Sequence, residues 1–208
     1  MIEVPFDLVN DHVFVRASVN GLPADLIVDT GSSISTLSEE FAARTGVKTL
    51  DGLASAAGAA RVPVRLATVQ STSLPGIELG EAIVGLIGVD AVSRAAGRPV
   101  DGTLGYELFH RYAVEIDYVR QRLIAHEPGS FSPKGAVALS VDTRTRMPLL
   151  DATLETRSGT SVPARLVVDL GSSALSLGSR ARSWRSIATR SPACRASWRP
   201  SAPEWAAA

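Results

Sequence analysis

A repeat constrains this chain more than any other feature. Residues 22–37 read L-P-A-D-L-I-V-D-T-G-S-S-I-S-T-L, and residues 162–177 read V-P-A-R-L-V-V-D-L-G-S-S-A-L-S-L. Laid together without a gap, the two segments agree at 9 of 16 positions, namely Pro, Ala, Leu, Val, Asp, Gly, Ser, Ser and Leu. Agreement at that level predicts a duplicated lobe. Each copy is an apolar run that ends in Asp-x-Gly-Ser-Ser. That pattern describes a buried strand delivering its Asp to a tight turn, followed by a second strand.

The surrounding sequence extends the β pattern. V-F-V-R-A-S-V (13–19) alternates apolar and polar residues, and Asn20-Gly21 supplies a hairpin turn into residues 22–28. Further strands are expected at 62–69, 77–88 and 112–118, with R-Q-R-L-I-A-H-E as a return strand. Helices are expected to be few and brief. Ser38 is placed to cap one that ends at Gly46, and 104–112 fits another. Residues 149–156 then alternate again, and R-S-G-T turns into the second copy. Tyr106, Phe109 and Tyr112, three apart, predict one packed helix face, while Asp101, Asp117 and Asp142 read as turn or surface acids.

Composition excludes several classes. Of 208 residues, 45% are hydrophobic and 20% charged, as in an ordinary soluble globular protein. No run nears the ~18 apolar residues of a membrane span. M-I-E-V-P-F-D at the start has no signal-peptide pattern, which leaves the location unknown: cytoplasmic, or periplasmic or secreted if the true start lies upstream. The single Cys194 excludes an internal disulfide, and the three His have no metal-ligand spacing, so neither metal nor cofactor is expected. The formal net charge is zero, but residues 179–208 carry six Arg against one Glu. The remainder is mildly acidic, which argues against a nucleic-acid footprint. The 179–208 segment also holds all three Trp and shows no period of 2 or 3.6. Its Arg/Ala/Ser/Pro/Trp mixture is what a frameshift in GC-rich coding sequence yields, so it is expected to be non-native to the fold; a basic tail for an acidic partner is the alternative.

The chemistry lies in the turns. One D-x-G-S can be an Asp bonding its own backbone, or a carboxylate held at the floor of a cleft with the following Ser donating to it. Two copies on a duplicated unit bring Asp29 and Asp169 face to face, where two charges that close cannot both ionise. The task that fits is shared-proton catalysis, with one carboxylate taking a proton from water and the other acting as acid toward a carbonyl oxygen.

V-D-T-G-S-S (28–33) resembles the active-site motif of the aspartic proteases. With V-P-F-D-L-V-N-D-H-V-F-V near the start, V-D-G-T-L-G-Y-E-L-F-H-R-Y (100–112) and A-V-E-I-D-Y-V-R-Q-R-L-I (113–124), the chain resembles the bacterial aspartyl protease family with retropepsin-like lobes. The resemblance covers about 4–126, and 149–178 as the opening of a second lobe. It implies a mainly β fold: a closed β-barrel-like lobe at 1–128, a linker and truncated second lobe of the same type at 129–178, and the tail at 179–208. It implies that Asp29 is catalytic with Asp169 as its counterpart, that Ser32 supports Asp29, and that Thr30 donates across the lobe interface. Gly31, Gly171 and Ser172 complete the two turns. Leu104-Gly105 matches the segment that threads near the catalytic loop, and Ala57-Gly58 sits where a substrate-covering flap belongs. Leu170 departs from the pattern, since it cannot return the Thr30 hydrogen bond.

The expected function is therefore peptide-bond hydrolysis by an aspartic endopeptidase acting on polypeptide substrates. The site is completed by Asp169, or by Asp29 of a second copy in a homodimer. A non-enzymatic peptide-binding β module is the alternative from another class. V-D-G-T-L (100–104) echoes a phosphatase signature, but Pro99 stands where the nucleophile belongs. No nucleophile elbow, P-loop or dinucleotide fingerprint is present.

Overall fold

The computed structural model describes residues 1–56, 62–137, 139–155, 159–172 and 177–178. The chain opens with three antiparallel strands, β1 (Ile2–Val9), β2 (His12–Val19) and β3 (Leu22–Val28). Asn20 and Gly21 both take positive φ, 49° and 81°, as a two-residue hairpin turn with the right twist demands. Asn10 and Asp11 do the same between β1 and β2.

Next come β4 (Thr36–Ser38) and α1 (Glu39–Thr45). Ser38 caps α1 as expected, its hydroxyl accepting from the Phe41 N–H at 3.0 Å, and Gly46 ends it at φ 63°. Strands β5 (Lys48–Ala56) and β6 (Val62–Val69) form an antiparallel hairpin, followed by β7 (Thr72–Leu74), β8 (Ile77–Glu78) and β9 (Ala82–Ile87). The single strand expected at 77–88 is thus two strands. Gly80 takes φ 71° between them, and its carbonyl accepts from the Thr72 N–H, so the chain turns there.

A short helix α2 (Asp90–Ala96) leads to β10 (Gly102–Leu104), α3 (Tyr106–Arg111), β11 (Ala113–Asp117) and β12 (Arg122–His126). The helix expected over 104–112 is shorter because Leu104 is in β10, where its carbonyl accepts from the Asp29 N–H. Ladders join these strands in the order β11-β12-β1-β2-β3-β10-β4-β9-β6-β5, with β7 and β8 attached to β2. That path has two ends, β11 and β5, so no closed barrel is found among the described residues. Beyond it, β13 (Ser140–Val141), β14 (Pro148–Glu155), β15 (Ser161–Val167) and β16 (Leu177–Gly178) make a separate four-stranded sheet. No described helix is long and apolar enough to cross a membrane.

The apolar run ending β3 is buried on both faces. Leu26 and Val28 belong to the main core with Phe41, Leu104 and Leu108, while Ile27 packs with Phe14, Ala96 and Val100 under α2. Two-sided burial is why the strand reads as continuous Leu-Ile-Val instead of alternating. The second sheet differs: no described side chain of β14 or β15 is fully buried.

Strand β10 threads between β3, which it parallels, and β4, which it opposes. Gly102 makes this possible, because a Cβ there would overlap the Thr36 carbonyl and stand 2.9 Å from the Leu37 Cα. Gly102→Ala is expected to cost about 3 kcal/mol, the upper range for overpacking, measured by chemical denaturation.

Candidate active site

Asp29 leaves the end of β3 with its backbone fixed, its N–H donating to the Leu104 carbonyl at 3.0 Å. The next turn folds back on the side chain, and the Gly31 N–H donates to Asp29 Oδ1 at 2.7 Å. The second copy repeats this, with the Gly171 N–H donating to Asp169 Oδ1 at 2.9 Å. A backbone donor holds each carboxylate. The Ser32 hydroxyl instead donates to the Ile34 carbonyl at 2.6 Å, closing its own turn and correcting the expectation that it would bond Asp29.

The two turns meet at their glycines. A Cβ on Gly31 would stand 2.5 Å from the Asp169 Cγ and 2.6–2.7 Å from both its oxygens. A Cβ on Gly171 would overlap the Asp29 carboxylate in the same way. Each carboxylate therefore lies on the opposite turn's glycine, an approach that any side chain at either position would block.

Thr30 holds the turns together from one side. Its hydroxyl donates to the Val168 carbonyl at 2.6 Å and accepts from the Leu170 N–H at 3.1 Å. Leu170 returns no side-chain hydrogen bond, as its chemistry requires, and packs against the main core. Tyr106 adds a contact from α3 toward the second sheet: the Arg146 guanidinium sits 4.7 Å from its ring centroid. Tyr106 thus departs from the packed face expected of it. It stacks on His110 with its hydroxyl 2.9 Å from Nδ1, while Phe109 and Tyr112 do pack on the core.

This arrangement pushes the Asp29 carboxyl up to about 7. Burial contributes most, followed by the Asp169 charge and a hydrogen bond between the two carboxyl groups; the Gly31 and Gly171 N–H groups pull the other way. Because the groups interact this closely, the titration belongs to the pair.

Two further groups have roles that the sequence reading did not give them. Glu107 Oε2 accepts from both the Ser35 N–H, at 2.9 Å, and the Ser35 hydroxyl, at 2.6 Å. Asp101 is more than a surface acid: it accepts from the Asp25 N–H and from Arg44, while its own carbonyl accepts from the Ser38 N–H. Asp117 and Asp142 are the turn acids expected, each accepting from N–H groups two and three residues on. Strands β5 and β6 flank the flap candidates Ala57 and Gly58, which themselves lie outside the described residues, as do 179–208 with Cys194.

Residues 15–108 match a family described as aspartyl protease. Similar solved structures include a retropepsin-like aspartic protease from Rickettsia conorii, 24% identical at a TM-score of 0.41, the match covering 59% of this chain and 86% of that one. They also include the retroviral protease-like domain of Ddi1 from Leishmania major, 18% identical at a TM-score of 0.40, covering 61% and 98%. A search of curated protein sequences returned no match. The family model that matches is thus of the kind the D-T-G-S-S turn resembles, aspartyl proteases, over a stretch narrower than the 4–126 expected.

Two outcomes follow for stability. A carboxyl raised in the folded state binds its proton more tightly there than in the unfolded chain. Its stabilising contribution is complete below the ordinary value of 3.8 and is lost as pH rises to about 7. Thermal melts of the parent should therefore lose about 2 kcal/mol relative to Asp29→Asn between those pH values, less than the full shift would give because Asp29 is only half-buried. Thr30→Val deletes both hydroxyl bonds at constant shape and is expected to cost about 2 kcal/mol in denaturant titrations.

Proposed function

We propose that the chain is an aspartic endopeptidase that hydrolyses peptide bonds with a water activated by Asp29 and Asp169. The observation that carries this reading is the reciprocal placement of each carboxylate on the other turn's glycine. Such an arrangement costs stability at neutral pH, and general acid–base work at a carbonyl uses it.

The raised value of Asp29 makes it the carboxyl that carries the shared proton. The Asp169 carboxylate takes a proton from a water whose oxygen attacks the peptide carbonyl carbon. Asp29 gives its proton to the carbonyl oxygen, forming a tetrahedral diol. Collapse of the diol breaks the C–N bond: the proton that Asp169 took from water passes to the leaving nitrogen, and a hydroxyl proton of the diol returns to Asp29. The N–H groups of Gly31 and Gly171 orient the two carboxylates throughout. Thr30, Ser32 and Ser172 serve as supporting turn residues.

In this reading residues 1–128 form the retropepsin-like lobe and 129–178 the linker and opening of a second lobe of the same type. The substrate is an extended polypeptide. A homodimer pairing Asp29 with its own copy is the competing assembly.

Cleavage of an unfolded protein substrate between about pH 3 and 8 tests the proposal. A bell-shaped profile is expected, with activity lost in both Asp29→Asn and Asp169→Asn. Loss in Asp29→Asn alone, with a rate that rises with the square of protein concentration, would move the site to the homodimer. A parent that does not cleave at any pH would contradict the proposal and leave the non-enzymatic peptide-binding module.

A further inference from the structure

The Asp29 turn is tied to the β10–α3 segment from both of its ends, and one side chain closes the tie. At the near end the Asp29 N–H donates to the Leu104 carbonyl, and the Tyr106 N–H donates to the Ser32 carbonyl at 3.2 Å. At the far end the Ser35 hydroxyl accepts from the Gly105 N–H at 3.0 Å and donates to Glu107 Oε2 at 2.6 Å. The Ser35 N–H donates to the same oxygen at 2.9 Å. Gly105 has no room for a side chain: a Cβ would stand 2.7 Å from the Ser32 carbonyl oxygen and 3.1 Å from the Ser32 Cβ. The Thr36 and Thr103 hydroxyls add a rung at 2.9 Å.

We propose that Glu107 is a positioning residue for the Asp29 carboxylate, acting through Ser35 and Gly105. The inference rests on the endopeptidase reading of the site. Ser35 is buried, and its N–H and hydroxyl proton both go to the Glu107 carboxylate. Two donors on one carboxyl oxygen fix its direction as well as its distance. Without that acceptor the 32–35 half of the turn is free to shift against 104–106. Gly31, whose N–H orients Asp29 and whose α-carbon receives Asp169, shifts with it. The charged group facing Asp29 across the site is Asp169, from the opposite turn. Glu107 touches neither carboxylate and is not itself catalytic.

The test compares the full chain with Glu107→Ala, Glu107→Gln and Ser35→Ala. Two readouts are used: kcat and KM across pH on an unfolded protein substrate, and carboxyl carbon NMR of Asp29 across the same range. In Glu107→Ala, kcat is expected to fall by ten- to a hundredfold with KM within about twofold, the scale of a misplaced catalytic group. The Asp29 midpoint is expected to drop from about 7 toward the ordinary carboxylate range as the two turns separate. Glu107→Gln keeps an acceptor oxygen for both donors and should restore most of each. Ser35→Ala leaves the Ser35 N–H bond but strips the Gly105 N–H of its acceptor, and should fall between. It supplies the readout should Glu107→Ala not fold. An Asp29 midpoint that is the same in every variant would overturn the proposal, as would a loss of kcat that Gln does not relieve. A parent that cleaves nothing, yet shows the midpoint drop in Glu107→Ala, would sink the endopeptidase reading while upholding the positioning role.

Discussion

Everything distinctive in this molecule depends on the close approach of two carboxylates. Like charges at that distance repel, so the fold has to enforce the contact with other interactions. Two glycines supply the space, since each turn receives the other's carboxylate where a Cβ would stand. Two backbone N–H groups supply partial neutralisation. Thr30 then clamps the second turn through its main chain, donating to Val168 and accepting from Leu170. Burial of the carboxyl, and then the Asp169 charge that these groups do not neutralise, appear as a proton held on Asp29 to near neutral pH.

The enforcement is lopsided. Asp29 is carried by a strand buried on both faces, between two apolar clusters, and braced by β10 and α3. Asp169 is carried by β15, whose described side chains are at best half-buried. Its position depends on the β14 ladder, on the Val168 N–H donating to the Pro148 carbonyl, and on contacts with the first sheet. Leu170 trades the hydrogen bond that a second Thr would make for apolar contact with the main core. The second turn is therefore held largely by the first half of the chain, so changes there affect both carboxylates.

Much of this was legible in the sequence, for identifiable reasons. Asp29, Asp169, Gly31 and Gly171 were found because a duplicated motif is a long-range signal written in local residues. Asn20-Gly21, Ser38 and Gly46 were legible because turn and cap chemistry is local. Residues whose role depends on distant partners were not. Glu107 sits in a short helix with nothing to mark it, and becomes a brace only because β10 brings it beside Ser35, 72 positions away in sequence. Asp101 is similar, reaching Asp25 across 76 positions. Helix α2, D-A-V-S-R-A-A, is too short to show a period, though it covers Ile27 and Phe14. The Ser32 hydroxyl was misread because the sequence offered Asp29 as the obvious acceptor, whereas the turn places the Ile34 carbonyl within reach. The closed lobe was expected from resemblance, and hydrogen-bonded pairing among the described residues leaves β5 and β11 as ends.

The central claim is that Asp29 and Asp169 share a site tightly enough for Asp169 to govern the proton on Asp29. The most direct measurement is the Asp29 titration, followed by carboxyl carbon NMR, in the full chain and in Asp169→Asn. The account predicts a midpoint near 7 in the parent. In the variant it should fall clearly, though not to the ordinary value, because burial remains when the neighbouring charge is gone. A midpoint unchanged by the loss of Asp169 would contradict the account, since the two carboxylates would then not be a pair.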